Sequence, residues 1–183
     1  MKQIILFFLC WTLFSCNSEA QSTTKTFTLK SSNLEGQATA QEVMIGCGGS
    51  NQSPQLSWEN APEGTKSFAI LMHDPDAPTG SGWWHWLVVN LPATTTELPI
   101  NAGNPEAGLM PEGAVQTRTD YGQTGYGGPC PPEGHGLHQY TITIHALKTD
   151  KLDIKPDAIP ATVGFQVNAN TIGKASLVFY HQR

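Results

Sequence analysis

Residues 67–92 read SFAILMHDPDAPTGSGWWHWLVVNLP, and this stretch decides the fold class. Residues 67–73 are almost entirely apolar and end at a Pro-rich turn, which is typical of a buried β-strand. A second apolar run, residues 86–91, is bounded by Pro92 and indicates another buried strand. The stretch therefore predicts two buried strands joined by a turn rich in Pro and Gly.

Three further segments carry the alternation of apolar and polar residues that β-strands show. They are residues 26–30, residues 140–147 and residues 175–181. Five strand candidates with no repeating helix between them favour a mostly β fold, an antiparallel two-sheet β-sandwich, over a doubly wound one.

Helix is predicted only near the C-terminus, as one or two short helices. Pro160 is placed to open one helix, and residues 168–174 form a second candidate before the last strand. Residues 100–137 form a long Gly-rich loop region, which in a compact domain usually has a functional reason. The length suits one domain, residues 26–183.

The composition indicates a globular protein and excludes one functional class. Charged residues make up 14% of the chain, and 18 Gly with 13 Pro imply frequent turns. The 10 Lys and Arg residues against 15 Asp and Glu give a net charge of -5. Nucleic-acid binders usually present a basic face, so we do not expect a nucleic-acid partner.

The N-terminus has the pattern of an export signal. Residues 1–15 combine a charged start with a short apolar core, and Leu-Phe-Ser-Cys at their end resembles a bacterial lipobox. This interpretation makes Cys16 the lipidated N-terminus and residues 16–25 a flexible tether, so the protein is expected to be a lipoprotein of the bacterial cell envelope. The alternative is cleavage after Ala20, which would release a soluble periplasmic or secreted protein.

Two cysteines, Cys47 and Cys130, lie in the folded part of the chain. In an oxidising compartment they could pair as a disulfide. Each could equally be a small buried hydrophobe, and the sequence does not give the distance between their Cα atoms. Both alternatives stay open at this stage.

The residues that could carry chemistry fall in three clusters. In the first, Pro75 restricts Asp74 and Pro78 restricts Ala77 to extended geometry, so the carboxylates of Asp74 and Asp76 are held stiffly. The alternative is that these Asp residues only cap backbone N–H groups of a turn. In the second, His85 lies among tryptophans at the start of an apolar strand, where a lone His is more often structural. The third is a Gly- and Pro-rich segment, residues 125–140, in which backbone N–H groups can approach an anion closely.

These clusters resemble motifs of the phosphatidylethanolamine-binding proteins, a family that includes the Raf kinase inhibitor proteins and a bacterial Raf kinase inhibitor-like branch. The resemblance starts at the stretch CGGSNQSPQLSW, residues 47–58, and passes through DPDAP, the WWHW strand and GYGGPCPP to the final strand. It implies a β-sandwich with a shallow pocket for phosphate-like anions at one end. Carried over position by position, the ligand-binding residues would be Asp74, Asp76, Pro78, His85, Cys130, Pro131, Pro132, His138 and Tyr140.

Acidic side chains would repel an anion directly, so we expect Asp74 and Asp76 to act through the histidines. They would accept N–H bonds from His85 or His138, fix the tautomer and raise the imidazole pKa, so that protonated imidazoles face the ligand. Aromatic rings would shield the pocket from water. His135 is expected in a solvent-exposed loop.

Three other functions use the same residues. A hydrolase would use His85 or His138 as general base, oriented by Asp74, with Cys130 or Tyr140 as nucleophile. A metal site would combine both histidines with Asp74 and Cys130, although the spacing of His135 and His138 is not that of a helical zinc motif. The resemblance also allows an inhibitor of a protease or kinase that uses the same pocket. We expect non-catalytic binding of a small anionic ligand, with no metal or cofactor.

Overall fold

The computed structural model describes residues 25–183. The predicted signal segment, the lipidation site Cys16 and nearly all of the 16–25 tether lie outside the described residues. Eight β-strands and one α-helix are present in the described part. They are β1 (Thr28–Lys30), β2 (Leu56–Glu59), β3 (Ser67–Asp74), β4 (Trp83–Pro92), β5 (Glu97–Leu98), β6 (Val115–Gln116), β7 (His138–Leu147), α1 (Pro160–Asn170) and β8 (Thr171–His181).

The strands form two antiparallel sheets, as the sequence predicted. The smaller sheet has the order β1-β2-β5, and the larger one has the order β6-β4-β3-β7-β8. The main core lies between the sheets, where Trp58 and Phe68 meet edge to face with ring centroids 5.5 Å apart. Burial of each such side chain contributes about 1.5–3 kcal/mol.

Strand β3 is continuously apolar because both of its faces are covered. One face packs against the smaller sheet, and the other contributes Ala69 and Leu71 to a second core cluster. Val163 and Val167 of α1 complete that second cluster together with residues of the segment before the helix. The central strands are thus held from both sides, which fixes the end of the sheet where the candidate site lies.

The predicted second helix, residues 168–174, is wrong. Helix α1 continues to Asn170 with Pro160 in its first turn, and β8 begins directly at Thr171. Thr171 pairs with Leu147 of β7, and its hydroxyl donates to the carbonyl of Val167. The long ladder with β7 and the alternating burial of β8 therefore outweigh any local helix preference.

The other predicted strands are confirmed with shifted ends. Strand β4 starts at Trp83, β7 at His138 and β8 at Thr171, each earlier than the sequence predicted, whereas β1 starts later, at Thr28. The strands β2, β5 and β6, which are two to four residues long, were not predicted. Residues 100–137 are mostly loop, with β6 and one short 3-10 helix (Pro105–Ala107).

Cys47 and Cys130 form a disulfide with their Cα atoms 5.7 Å apart. The bond ties the region of a 3-10 helix (Ile45–Cys47) to the Gly- and Pro-rich segment before β7. No helix within residues 25–183 is long and apolar enough to cross a bilayer.

Candidate functional site

Three neighbouring strands deliver the central residues of the site. Asp74 is the last residue of β3 and pairs with Trp83, the first residue of β4, so His85 lies two residues further along β4. Tyr140 is the third residue of β7, which pairs with β3 on its other side. Asp74, His85 and Tyr140 are 2% exposed or less. The sheet therefore brings these three side chains together at one end.

They border a cavity of about 260 Å³. The turn after β3, the start of β4, the long loop and the segment before β7 complete its wall. The lining residues are Asp74, Ala77, Pro78, Thr79, Trp83, His85, Tyr121, Cys130, Pro131, Pro132 and Tyr140. All of the predicted ligand-binding residues line this cavity except Asp76 and His138. Tyr121 was missed because nothing in the long loop distinguishes it from the other loop residues.

His85 has a fixed tautomer. Its Nδ1 lies 2.7 Å from the carbonyl oxygen of Gly127, which only accepts, so Nδ1 carries the proton. In the neutral ring, Nε2 then presents a lone pair. Burial lowers the pKa of His85 to about 4, and the Gly127 carbonyl and the Asp74 carboxylate offset only part of this effect. The expectation of a raised pKa is wrong for His85, because desolvation of the charged ring outweighs the neighbouring acid.

Asp74 is oriented by two donors within the protein. Its Oδ1 accepts from the backbone N–H of Asp76 at 2.9 Å, and its Oδ2 accepts from Nδ1 of His138 at 2.8 Å. Asp76 itself is exposed and accepts from the backbone N–H of Gln139 at 2.8 Å. Asp76 therefore joins the turn after β3 to the start of β7 and does not border the cavity.

His138 lies behind Asp74, away from the cavity. Its Nδ1 donates to Asp74, and its Nε2 lies 2.8 Å from Nδ1 of His135, so both ring nitrogens are engaged within the protein. The prediction that two imidazoles face one ligand is thus not met, because only His85 borders the cavity. His135 is exposed, as expected, but its contact with His138 was missed. The three-residue spacing of His135 and His138 was the sequence feature that could have indicated this contact.

Several hydrogen-bond donors at the cavity have no partner within residues 25–183. The buried Nε1 of Trp83 makes no hydrogen bond in this part of the chain, and the buried Oη of Tyr140 lies near the Asp74 carboxylate without reaching hydrogen-bond geometry. The backbone N–H groups of Ala77 and Cys130 also find no acceptor there. Burial, followed by the Asp74 carboxylate, raises the pKa of Tyr140, so its hydroxyl keeps its proton. The cavity wall thus combines unused donors with the acceptors of Asp74 and His85.

Close packing fixes the loop that carries this wall. A Cβ at Gly128 would lie 2.0 Å from the carbonyl oxygen of Glu42, so only glycine fits there. The side chain of Asn51 accepts from the N–H of Gly128 at 2.7 Å and donates to the carbonyl of Tyr126 at 3.1 Å. These contacts hold Gly127 where its carbonyl sets the tautomer of His85.

The disulfide changes what Cys130 can do. In the bonded form, Cys130 offers no thiol to act as the nucleophile of a hydrolase or as a metal ligand. Within residues 25–183, no group of three or more His, Cys, Asp and Glu side chains is arranged to hold a metal ion.

An antiparallel two-sheet sandwich with an Asp, His and Tyr cavity at the end of its larger sheet defines the class of protein. The sequence profile of the phosphatidylethanolamine-binding proteins matches residues 20–182. The chain belongs to this family, as its motifs predicted.

Relatives and a solved structure agree with this assignment. The chain is 53% identical over 133 residues to the UPF0098 protein YbcL of Escherichia coli, covering 73% of each chain. It is 51% identical over 135 residues to YbhB of the same organism, covering 73% of this chain and 83% of YbhB. The crystal structure of YbcL, described as a new member of the mammalian PEBP family, superposes with a TM-score of 0.83 at 46% identity, covering 86% of this chain and 98% of YbcL.

A more distant relative is relevant to the predicted lipoprotein signal at the N-terminus. The chain is 32% identical over 136 residues to LppC of Mycobacterium tuberculosis, a protein whose name describes it as a candidate lipoprotein, covering 74% of this chain and 63% of LppC.

Proposed function

We propose that this protein binds a small phosphate-like anionic group in the cavity between Asp74, His85 and Tyr140, without transforming it chemically. The observation that carries this proposal is the set of unused donors at a buried site, since an unpartnered buried donor costs about 1–3 kcal/mol. A ligand that accepts hydrogen bonds from these donors removes that cost.

The cavity is suited to holding an anion by dipoles instead of by a cation. Within residues 25–183 no Lys or Arg lines it, so the attraction would come from the Nε1–H of Trp83, the hydroxyl of Tyr140 and the backbone N–H groups of Ala77 and Cys130. Oriented N–H groups in a poorly hydrated site bind anions well. Asp74 already accepts hydrogen bonds from Asp76 and His138, which spread part of its negative charge away from the cavity.

The proposal is tested by calorimetric titration of the purified protein with inorganic phosphate. Trp83→Phe keeps an aromatic ring but removes the unpartnered Nε1–H, so phosphate should bind about tenfold more weakly, the loss of one hydrogen bond to a charged group. Trp84→Phe is the matched control, because Trp84 is the adjacent residue and does not line the cavity; its affinity should equal that of the parent. Absence of phosphate binding to the parent protein, or equal losses in both variants, would refute the proposal.

The non-catalytic part of the proposal is supported by the state of the two candidate nucleophiles. Cys130 is bonded to Cys47, and the raised pKa of Tyr140 keeps its hydroxyl in the less nucleophilic protonated form. Incubation with a panel of carboxylic and phosphoric monoesters should release no product above the background of a Tyr140→Phe variant. Turnover that this substitution abolishes would assign an enzyme instead.

We also propose that the protein is held at the bacterial cell envelope through lipidated Cys16. The apolar N-terminal segment with its Leu-Phe-Ser-Cys end supports this proposal, as does the lipoprotein name of the relative LppC. Cells fed radiolabelled palmitate should label the protein, and Cys16→Ser should remove the label. A labelled Cys16→Ser protein would contradict the proposal.

A further inference from the structure

We infer that the cavity accepts an oxyanion only in a form that still carries a proton, so it selects phosphate monoesters over sulfate monoesters. This inference rests on the proposed anion site and adds the chemical class of its ligand. It follows from which atoms of the wall donate and which accept.

The first acceptor is Nε2 of His85. Because Nδ1 donates to the Gly127 carbonyl, Nε2 of the neutral ring can only accept, and it has no hydrogen-bond partner within residues 25–183. The titratable groups around this ring are Asp74, His73, Tyr121 and Tyr140. Within residues 25–183, none of these groups is a Lys or Arg that could donate to an anion in place of the ring.

The second acceptor is the carboxylate of Asp74. Its two oxygens accept from the N–H of Asp76 and from Nδ1 of His138, and their remaining lone pairs also only accept. An oxyanion without a proton would place its own lone pairs against Nε2 and this carboxylate. A hydroxyl on the ligand carries one hydrogen, so it can donate to one of these acceptors and remove the repulsion there.

The hydrogen-bond donors of the cavity wall require the opposite, namely ligand oxygens without a proton. Tyr140, Trp83 and the backbone of Ala77 and Cys130 offer hydrogens that need unprotonated oxygens. A phosphate monoester monoanion has both kinds of oxygen, one P–OH and two that share the negative charge. A sulfate monoester has the same charge and nearly the same shape but no hydroxyl, so it satisfies the donors and leaves the acceptors unpaired.

The decisive experiment compares methyl phosphate with methyl sulfate by calorimetric titration of the intact protein between pH 4.5 and 8. At pH 6 methyl phosphate should bind at least tenfold more tightly, because sites with buried polar groups reject analogues that cannot pair them. Its affinity should be level below its second pKa, near 6, and fall about tenfold per pH unit above it. Methyl sulfate should instead gain affinity steadily towards pH 4.5, as His85, whose pKa is about 4, begins to take up the missing proton.

The His85→Gln variant tests whether His85 causes the preference for methyl phosphate over methyl sulfate. The carboxamide in His85→Gln can donate as well as accept, so the preference for methyl phosphate at pH 6 should shrink to less than threefold. His145→Gln is the matched control, since His145 is also a buried histidine with a pKa of about 4 but does not line the cavity. It should keep the full preference. If His85→Gln fails to fold, the comparison of the two esters on the parent protein still tests whether the bound oxyanion must carry a proton.

The outcomes separate the two proposals. Equal affinity for both esters at pH 6, or tighter binding of methyl sulfate, would overturn the proton requirement while the anion site stood. Binding of neither ester at any pH would overturn the anion site itself.

Discussion

Tyr140 is fully buried, yet its hydroxyl has no hydrogen-bond partner within residues 25–183. Its ring packs against Phe179, with centroids 5.2 Å apart, and against His85 at 5.1 Å. The ring therefore stabilises the fold while the unpaired Oη destabilises it by about 1–3 kcal/mol. Such a group is expected where binding requires a donor in place before the ligand arrives.

The first prediction follows from this conflict. Tyr140→Phe should raise the free energy of unfolding by about 1 kcal/mol, because it removes a buried hydroxyl without changing the packing, and it should weaken phosphate binding about tenfold. Urea denaturation and calorimetric titration measure the two effects.

Tyr126→Phe is the control for this prediction. The hydroxyl of Tyr126 donates to the carbonyl of Glu42 at 3.2 Å, and the residue does not line the cavity. Its removal should lower stability and leave phosphate affinity unchanged. A Tyr140→Phe protein that is less stable than its parent would show that Oη is paired in solution.

The sequence predicted which residues lie together in the pocket better than it predicted their pKa values and hydrogen-bond partners. The motifs placed Asp74 and His85 in one pocket, and the structure puts them there. They did not show that burial would lower the pKa of His85, since desolvation depends on neighbours from distant segments such as Tyr121. Nor did they show that His138 would turn towards His135.

Two glycines of the C-terminal elements differ in what a methyl group would meet. In α1, a Cβ at Gly164 would have no atom of residues 25–183 within 4 Å, whereas in β8 a Cβ at Gly173 would lie 2.5 Å from Cγ of Pro62. The helix therefore gains nothing from its glycine, because glycine in a helix interior is entropically unfavourable. The strand needs its glycine for close approach of the neighbouring loop.

The second prediction uses this contrast. Gly164→Ala should raise the free energy of unfolding by about 0.5–1 kcal/mol, as expected for a helix interior with free space. Gly173→Ala should lower it, because Pro62 has to move. Urea denaturation of both variants checks the pair, and a destabilised Gly164→Ala protein would mean that α1 packs more tightly at this residue than the structure shows.

The boundary between α1 and β8 shows why element ends are hard to predict. The segment at residues 168–174 has polar and small residues that suit a helix locally, and only pairing with the partner strand β7 makes Thr171 the start of β8. The short strands β2 and β5 exist for the same reason, since they pair with each other across long stretches of chain. Long-range pairing outweighs local preference in both cases.

For the whole molecule, two of the buried histidines, His85 and His145, make stability depend on pH. Burial lowers the pKa of both His85 and His145 from 6.5 to about 4. Between pH 6.5 and 4 the unfolded chain therefore binds protons that the folded protein excludes, so stability rises with pH across this window and is complete above it. Each histidine accounts for about 3 kcal/mol over the full window.

The third prediction is that the free energy of unfolding at pH 4.5 is lower than at pH 7 by several kcal/mol, measured by urea denaturation at each pH. His145→Gln should remove a large part of this difference, because it deletes one of the histidines whose pKa is lowered by burial. Equal stability of the parent protein at both pH values would show that neither histidine is buried in the neutral form.

By itself, the sequence determined the two-sheet fold, five of the eight strands and most of the residues that line the cavity. These features rest on local apolar patterns and on motifs that stand in one order along the chain. Only the tertiary structure decided the pairing of Cys47 with Cys130, the removal of Asp76 and His138 from the cavity wall, and the neutral state of His85. The physical reason is that distances, desolvation and hydrogen-bond partners arise between segments far apart in sequence, where no local pattern records them.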